Sequence, residues 1–206
     1  MTSMADHPLE TPGRVFVTAD NHFGQADAIA SYDRSFTDAE AMDSAYIEGI
    51  NDLVGADDLL LHLGDFVGDL DSRKRKIRVA NEVRERLTTE RLVLVRGNHD
   101  PDHKDFNRLF SSVHDLLSFR RAADGPRVIC CHYPLRGWRG NRKGSVHLHG
   151  HAHGRLEEIG RSTDVGVDCW RGRPIPLDDL VASLSGREIV AFPMRRIRRQ
   201  PDRSKP

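Results

Sequence analysis

Three cysteines in 206 residues, no long apolar run and no excess of either charge remove several classes of protein from consideration. Three thiols, two of them adjacent at Cys130 and Cys131, cannot build a disulfide framework. Reduced thiols in a cytoplasmic protein are the simplest account, with Cys131 and Cys169 expected as small buried hydrophobes. Lysine plus arginine number 31 and aspartate plus glutamate 31, so no global field recruits a polyanion or an anionic membrane. No stretch is long and apolar enough to span a bilayer. Residues 1–13 lack the apolar core of a signal peptide and read as a loose leader. A chain that is 38% hydrophobic and 30% charged fits one folded domain, expected over residues 14–192, with a basic tail at 193–206. What the sequence does have is histidine, eleven in all. Their positions direct everything that follows.

Strand-like runs alternate with helical patterns. Arg14-Val15-Phe16-Val17-Thr18 is β-branched and aromatic and ends at Ala19-Asp20. Thr37-Asp38-Ala39-Glu40 has the form of a capping box with Thr37 as N-cap, followed by Ala41, Ala45, Ile47, Ile50, Leu53 and Val54 at helical spacing. Leu59 to Leu63 is a short apolar run ended by Gly64-Asp65. A charged helix is predicted between Asp71 and Leu87, with Ile77, Ala80, Val83 and Leu87 on one face. Leu92 to Val95 reads as a buried strand running into Gly97-Asn98-His99-Asp100. Val128 to Cys131 leads to His132, and Val146 to His149 leads to Gly150-His151-Ala152-His153. Thr163 to Asp168 reads as a late strand, and Pro174 to Leu184 as a turn and closing helix. The order suits an α/β protein with helices outside its sheets. Five of these runs end in Asp, His or Asn, and in open α/β sheets ligands gather at the carboxyl ends of strands.

Asp20, His22, Asp65, Asn98, His99, His132, His151 and His153 offer carboxylate, imidazole and amide groups with no thiolate. Such a set suits Mn²⁺, Fe or Zn²⁺ better than a cluster or a cysteine-rich structural zinc. The ligands are too many for one tetrahedral ion and about right for two ions sharing a carboxylate. Each piece alone has a plain reading. Asp-x-His and Gly-Asp are ordinary turn chemistry, and a lone His132 is an ordinary strand-end histidine. Gly-Asn-His-Asp and Gly-His-x-His are sharper, and the ordered series is sharper than any part.

That ordered series, D-x-H, G-D, G-N-H-D, a lone H and G-H-x-H, resembles the calcineurin-like metallophosphoesterase superfamily from Arg14 to about Asp168, and the compact bacterial branch within it. The resemblance implies a four-layer α/β/β/α sandwich of two mixed sheets flanked by helices. It implies two divalent ions, Mn²⁺ first with Fe, Zn or Ni as alternatives. One would take Asp20, His22, Asp65 and His153; the other would take Asp65, Asn98, His132 and His151, with Asp65 bridging. His99 would stand over the site as proton donor or transition-state stabiliser, and the acid that orients it is left open, Asp69 lying four residues after Asp65. The implied reaction is hydrolysis of a phosphodiester or phosphomonoester by in-line attack of a hydroxide held by the ions. Where compact members read His-Phe-Gly-His this chain has Gln25, whose amide is able to hydrogen-bond a substrate but not to shuttle protons.

Other readings rest on fewer residues. Tyr133, Arg136, Trp138, Arg139, Asn141 and Arg142 follow His132, and Arg136 and Trp138, with Asn98, are candidate substrate contacts. His147 and His149 share a strand face that would support the ligands from behind if it turned toward them, and His62 is expected to pack near the site. The expected partner is a small phosphate ester. Nucleic acid is supported only by the arginine-rich loop and the basic tail. A nuclease acting on single strands and a non-catalytic scaffold are the competing functions. No membrane partner is expected, and the oligomeric state is left open.

Overall fold

The computed structural model describes residues 9, 11–121 and 123–190. The strands are β1 (Val15–Thr18), β2 (Leu59–His62), β3 (Arg91–Val95), β4 (Ser112–His114), β5 (Leu117–Phe119), β6 (Val128–Cys130), β7 (Val146–His149), β8 (Ser162–Asp164) and β9 (Ile175–Pro176). The helices are α1 (Ala28–Ser31), α2 (Ala39–Asn51), α3 (Arg73–Arg86), α4 (Lys104–Asn107) and α5 (Leu177–Ser185). One sheet has the order β4-β3-β2-β1-β9, parallel except for β9; the other has the order β5-β6-β7-β8, parallel except for β5. Two mixed sheets flanked by helices are the architecture expected from the motif series.

Strand alternation decides which side chains fill which layer. Val15, Val17, Leu59, Leu61, Val93 and Val95 point from the larger sheet toward Leu117, Phe119, Val128, Cys130, Val146 and Leu148 of the smaller one. Phe16, Leu60, Leu92 and Leu94 point the other way, onto Met42, Tyr46, Ile47 and Ile50 of α2 and Ala80 and Val83 of α3. Both faces of the larger sheet are buried, so its strands read as continuous apolar runs rather than alternating ones. Leu177, Leu180 and Leu184 of α5 close the edge of the core between the sheets. On the outer side of the smaller sheet the loop after His132 lies over the strands. There Leu135 N donates to His147 Nε2 at 3.0 Å, and the Trp138 ring sits 5.2 Å from that of His147.

Several expectations change in detail. The N-cap of α2 is Asp38, not Thr37: its extended backbone lets the carboxylate accept from Ala41 N at 2.8 Å. The late strand is shorter than its sequence run, stopping at Asp164. Cys131 is buried as expected, but Cys169 is exposed. Residues 9 and 11–13 are docked rather than loose. Leu9 packs on the inner core, and Thr11 Oγ1 and Gly13 N both donate to Asp57 O. The rest of the leader and the tail at 193–206 lie outside the described residues. No helix among the described residues is long and apolar enough to cross a membrane.

Helix α2 also reaches the turn that follows His22. Asp43 accepts from Gly24 N at 2.9 and 3.1 Å, where Gly24 has φ 78°. Burial pushes the Asp43 carboxyl up to about 6, only partly offset by the Gly24 hydrogen bond. A carboxyl whose pKa is raised by folding loses stability for the fold as pH climbs from its unfolded value near 4 to about 6, and the loss persists above. Asp43→Asn is therefore expected to match wild type near pH 4 and to gain about 1–2 kcal/mol at pH 8. Urea unfolding at the two pH values checks this, and a pH-independent difference would contradict it.

Candidate metal centre

The parallel strands β1, β2 and β3 end along one edge, and β6 and β7 end beside them. Asp20, Asp65, Asn98, His132 and His151 each follow their strand by two or three residues. The turns are laced together directly. Asp20 N donates to Gly64 O, His22 N to Asp65 O and Phe23 N to Phe66 O, each at 3.0 Å. Gly150 N donates to His132 O at 3.0 Å, and both carboxylate oxygens of Asp20 accept from His151 N, at 2.9 and 3.1 Å. The turns pack so closely that glycine is obligatory in places. A Cβ at Gly97 would lie 2.2 Å from Asp65 Oδ1, and one at Gly64 would lie 2.5 Å from His132 Nδ1.

Backbone strain concentrates here. Among the described residues seven other than glycine have positive φ, and five of them are Asp20, His22, Asp65, His151 and His153. Their φ values lie between 50° and 67°, a region that costs an L-residue about 1–2 kcal/mol. Strain of this kind persists where the surrounding structure over-determines it, and it clusters at functional sites.

The side chains converge into three overlapping groups, Asp20 with His22 and His153, His22 with Asp65 and His99, and Asp65 with His132 and His151. Asp65 Oδ2 is 3.4 Å from His132 Nε2, 3.6 Å from His22 Nε2 and 3.9 Å from His99 Nε2. Asn98 Oδ1 lies 3.1 Å from His132 Nε2. All eight residues singled out by the motifs are thus brought together. Arg136 and Trp138 are not among them: with Pro134, Leu135 and His149 they line a separate groove of about 460 Å³ on the outer side of the smaller sheet. His147 and His149 do share a face, but it is this outer one, so neither backs the cluster.

Several hydrogen bonds fix which imidazole nitrogen is free. His132 Nδ1 meets the Leu63 carbonyl at 2.8 Å and must donate there. Gln25 Oε1 accepts from Asp69 N at 2.8 Å, so it is the acceptor for His22 Nδ1 as well, also at 2.8 Å. Gln25 is buried, and its oxygen is committed to this task rather than to a substrate. His22 Nε2 is then a bare lone pair, buried and without a hydrogen-bond partner, facing an acceptor-only carboxylate. Two acceptors face to face need a cation between them.

The electrostatics agree. Burial pushes the Asp20 carboxyl well above its ordinary range, opposed by His132 and reinforced by Asp65 and Asp164. Burial lowers His22 to about 4, which leaves it neutral and able to ligate. Burial alone would lower His132 too, but the hydrogen bond and charge of Asp65 hold it at about 9. Asp65 is correspondingly held far below the usual carboxylate range, burial being outweighed by His132, His22 and the His99 N–H. The pocket wants positive charge among its carboxylates, and the donor set fits divalent ions.

Four supporting residues, Asp100, Asp168, Arg34 and Tyr32, stand outside the candidate ligand set, Asp100 as the last residue of the Gly-Asn-His-Asp motif. Asp100 is buried and accepts from Gly97 N and Phe66 N, both at 2.9 Å, binding the Asn98 turn to the Asp65 turn. Asp168 accepts from His153 Nδ1 and from Arg34, and Tyr32 stacks on His153. Asp168 had one sequence signal, since it ends a strand-like run as the ligands do. Nothing local marks Arg34 or Tyr32. His62 packs beside the cluster as expected, its Nε2 2.9 Å from Asn21 Oδ1.

The sequence profile of the calcineurin-like phosphoesterases matches residues 13–191. The chain belongs to that family. An uncharacterized protein of Methanocaldococcus jannaschii is 28% identical over 184 residues, covering 86% of this chain and 94% of the relative. The gene 66 protein of Mycobacterium phage D29 is 28% identical over 193 residues, covering 81% and 93%. Among solved structures, a protein of unknown function from Aquifex aeolicus superposes with a TM-score of 0.61 at 18% identity, covering 82% of this chain and 98% of that one. At that identity the likeness speaks to the fold alone. The family is metal-dependent, and the Asp and His groups of this chain are side chains able to hold metal.

Proposed function

We propose that this chain is a two-metal phosphodiesterase, with Mn²⁺ as the first candidate metal. The observation that carries the reading is the left-handed backbone at Asp20, His22, Asp65, His151 and His153, five strained residues whose side chains meet in one place. One ion is assigned to Asp20, His22, Asp65 and His153, the other to Asp65, Asn98, His132 and His151. When bound, the ions supply the charge that neutralises a phosphate group and acidifies water.

The chain's own residues do the rest. His99 stands at the mouth of the cluster, its side chain a quarter exposed and its ring 5.2 Å from that of His22. Its backbone N–H donates to Asp65 Oδ1 at 2.9 Å, and its carbonyl accepts from Lys76 Nζ at 2.9 Å. The imidazole is left facing the open side, where it meets the charge developing on phosphate oxygens and gives a proton to the leaving oxygen. Its Nδ1 lies 4.0 Å from Asp69 Oδ1, beyond hydrogen-bond reach, so Asp69 stands near the ring without holding it. Tyr133 lies beside His151 at the surface, 44% exposed and with its ring 4.8 Å from the His151 ring. Arg34 and Lys76, the cations tied to the turns of the site, are both committed to protein groups. That favours a phosphate of single charge, a diester, over a monoester.

The substrate is assigned as a small phosphate ester rather than nucleic acid, because Arg136 and Trp138 face the separate groove. The free thiols keep the cytoplasm as the proposed compartment. A scaffold role has no observation behind it, since every ligand candidate and His99 are in place.

The test is hydrolysis of bis-p-nitrophenyl phosphate and p-nitrophenyl phosphate after chelation and re-addition of Mn²⁺, Zn²⁺, Ni²⁺ or Fe²⁺. Chelation is expected to abolish turnover and Mn²⁺ to restore it, with the diester the faster substrate. Folded protein that takes up no divalent ion would overturn the reading.

A further inference from the structure

Three of the four candidate ligand histidines are held from behind, and the hold on His153 differs in kind. His22 is fixed by an amide oxygen and His132 by a backbone carbonyl, both neutral. His153 Nδ1 instead meets a carboxylate, Asp168 Oδ2, at 2.7 Å. That carboxylate is gripped by Arg34 through two bonds of 2.9 Å, Nε to Oδ1 and Nη2 to Oδ2. The guanidinium then reaches past it, donating to Asp20 O at 2.7 Å and Asn21 O at 2.9 Å. One planar group therefore ties the loop after β8 to the left-handed turn that carries Asp20. Tyr32 completes the hold, its ring stacked on His153 with centroids 3.5 Å apart and planes within 8°.

The Arg34 side chain is 2% exposed and that of Asp168 is 11% exposed. A buried ion pair contributes little net stability, because desolvation offsets most of the attraction. What it does supply is position, since the guanidinium fork admits one arrangement of the carboxylate. A carboxylate on one imidazole nitrogen fixes the tautomer and strengthens the other nitrogen as a donor to metal. Asp168 acts in this way on His153, and Arg34 holds both Asp168 and the turn of Asp20 in place. The hydrogen bonds of Arg34 and Asp168 run to the Asp20 side of the cluster and none runs to Asn98, His132 or His151.

We propose that Arg34 and Asp168 are positioning residues that set the occupancy of one ion, the one assigned to Asp20, His22 and His153, and leave the other untouched. The inference rests on the two-ion reading above. Asp168→Asn keeps the shape of the side chain while removing its charge. Arg34→Lys keeps the charge while removing the fork.

The experiment is calorimetric titration of the metal-free full chain with Mn²⁺, paired with metal analysis after dialysis. Wild type is expected to take up two ions. Asp168→Asn is expected to weaken one of them ten- to a hundredfold, the usual effect of losing such a support, with the other unchanged. Arg34→Lys should weaken the same ion and offers a second test if the first variant fails to fold. In a His153→Ala background, Asp168→Asn should have no further effect on binding, because its partner is gone. Unchanged binding in both variants would overturn the inference alone, as would equal weakening of both ions or a loss that persists without His153. Failure of the wild-type protein to bind any ion would overturn the two-ion reading, and this inference with it.

Discussion

Replacing His99 by alanine is expected to lower kcat on the diester by about 10²–10³, the usual cost of removing one group that stabilises transition-state charge. Metal stoichiometry is expected to remain at wild-type level. The contrast follows from how His99 is attached. Its backbone, not its ring, is built into the site, through the N–H on Asp65 Oδ1 and the carbonyl on Lys76. The ring is 3.9 Å from Asp65 Oδ2 and 4.0 Å from Asp69 Oδ1, too far for a hydrogen bond to either in the resting protein. Alanine should therefore leave the fold and the ions in place. A paired comparison separates the two roles of the imidazole. A proton donor matters more as the leaving group worsens, so an alkyl diester should lose more than the nitrophenyl one. Equal losses would assign His99 to charge stabilisation alone. An alanine variant that turns over normally with its ions bound would remove His99 from the chemistry.

Asp65→Asn is expected to abolish turnover and to prevent uptake of both ions at stoichiometric concentration. Asp65 shares one group with His22 and another with His132 and His151, with Oδ2 turned toward imidazoles of both. Asparagine tolerates the left-handed backbone that Asp65 adopts at φ 51°, so the turn should survive. What disappears is the charge. The metal-free variant should also lose about 1–3 kcal/mol near neutral pH, because His132 forfeits the carboxylate that holds its proton. That loss should shrink as pH rises past about 9, where wild-type His132 is itself deprotonated. Metal analysis decides the role: retention of one ion would place Asp65 on a single metal, and retention of two would remove it from both.

How much of this was legible beforehand depends on the kind of residue. The metal-ligand candidates and His99 sit in short local motifs because a strand that ends in a tight turn presents its next few residues at one edge. That relation is local, and local sequence records it. The strand runs were readable for the same reason, since alternating burial leaves a pattern of period two or an unbroken apolar run. Thr37 and Asp38 were confused because both are good caps and only backbone geometry chooses between them. The role of Gln25 was left open because what an amide does depends on which groups reach it. The side chain turned inward because a peptide N–H from Asp69, distant in sequence, needed the same oxygen.

By itself the sequence determined the family and marked out the candidate site, through an ordered set of oxygen- and nitrogen-bearing side chains at strand ends. Tertiary structure alone decided how those side chains are aimed. Arg34 lies 134 positions from Asp168 along the chain, and only the packing of the fold brings the two together. The same holds for Tyr32 on His153 and for the outward turn of His147, His149 and Trp138. A side chain's partner across the fold is set by the packing of whole layers, and no spacing along the chain carries that information.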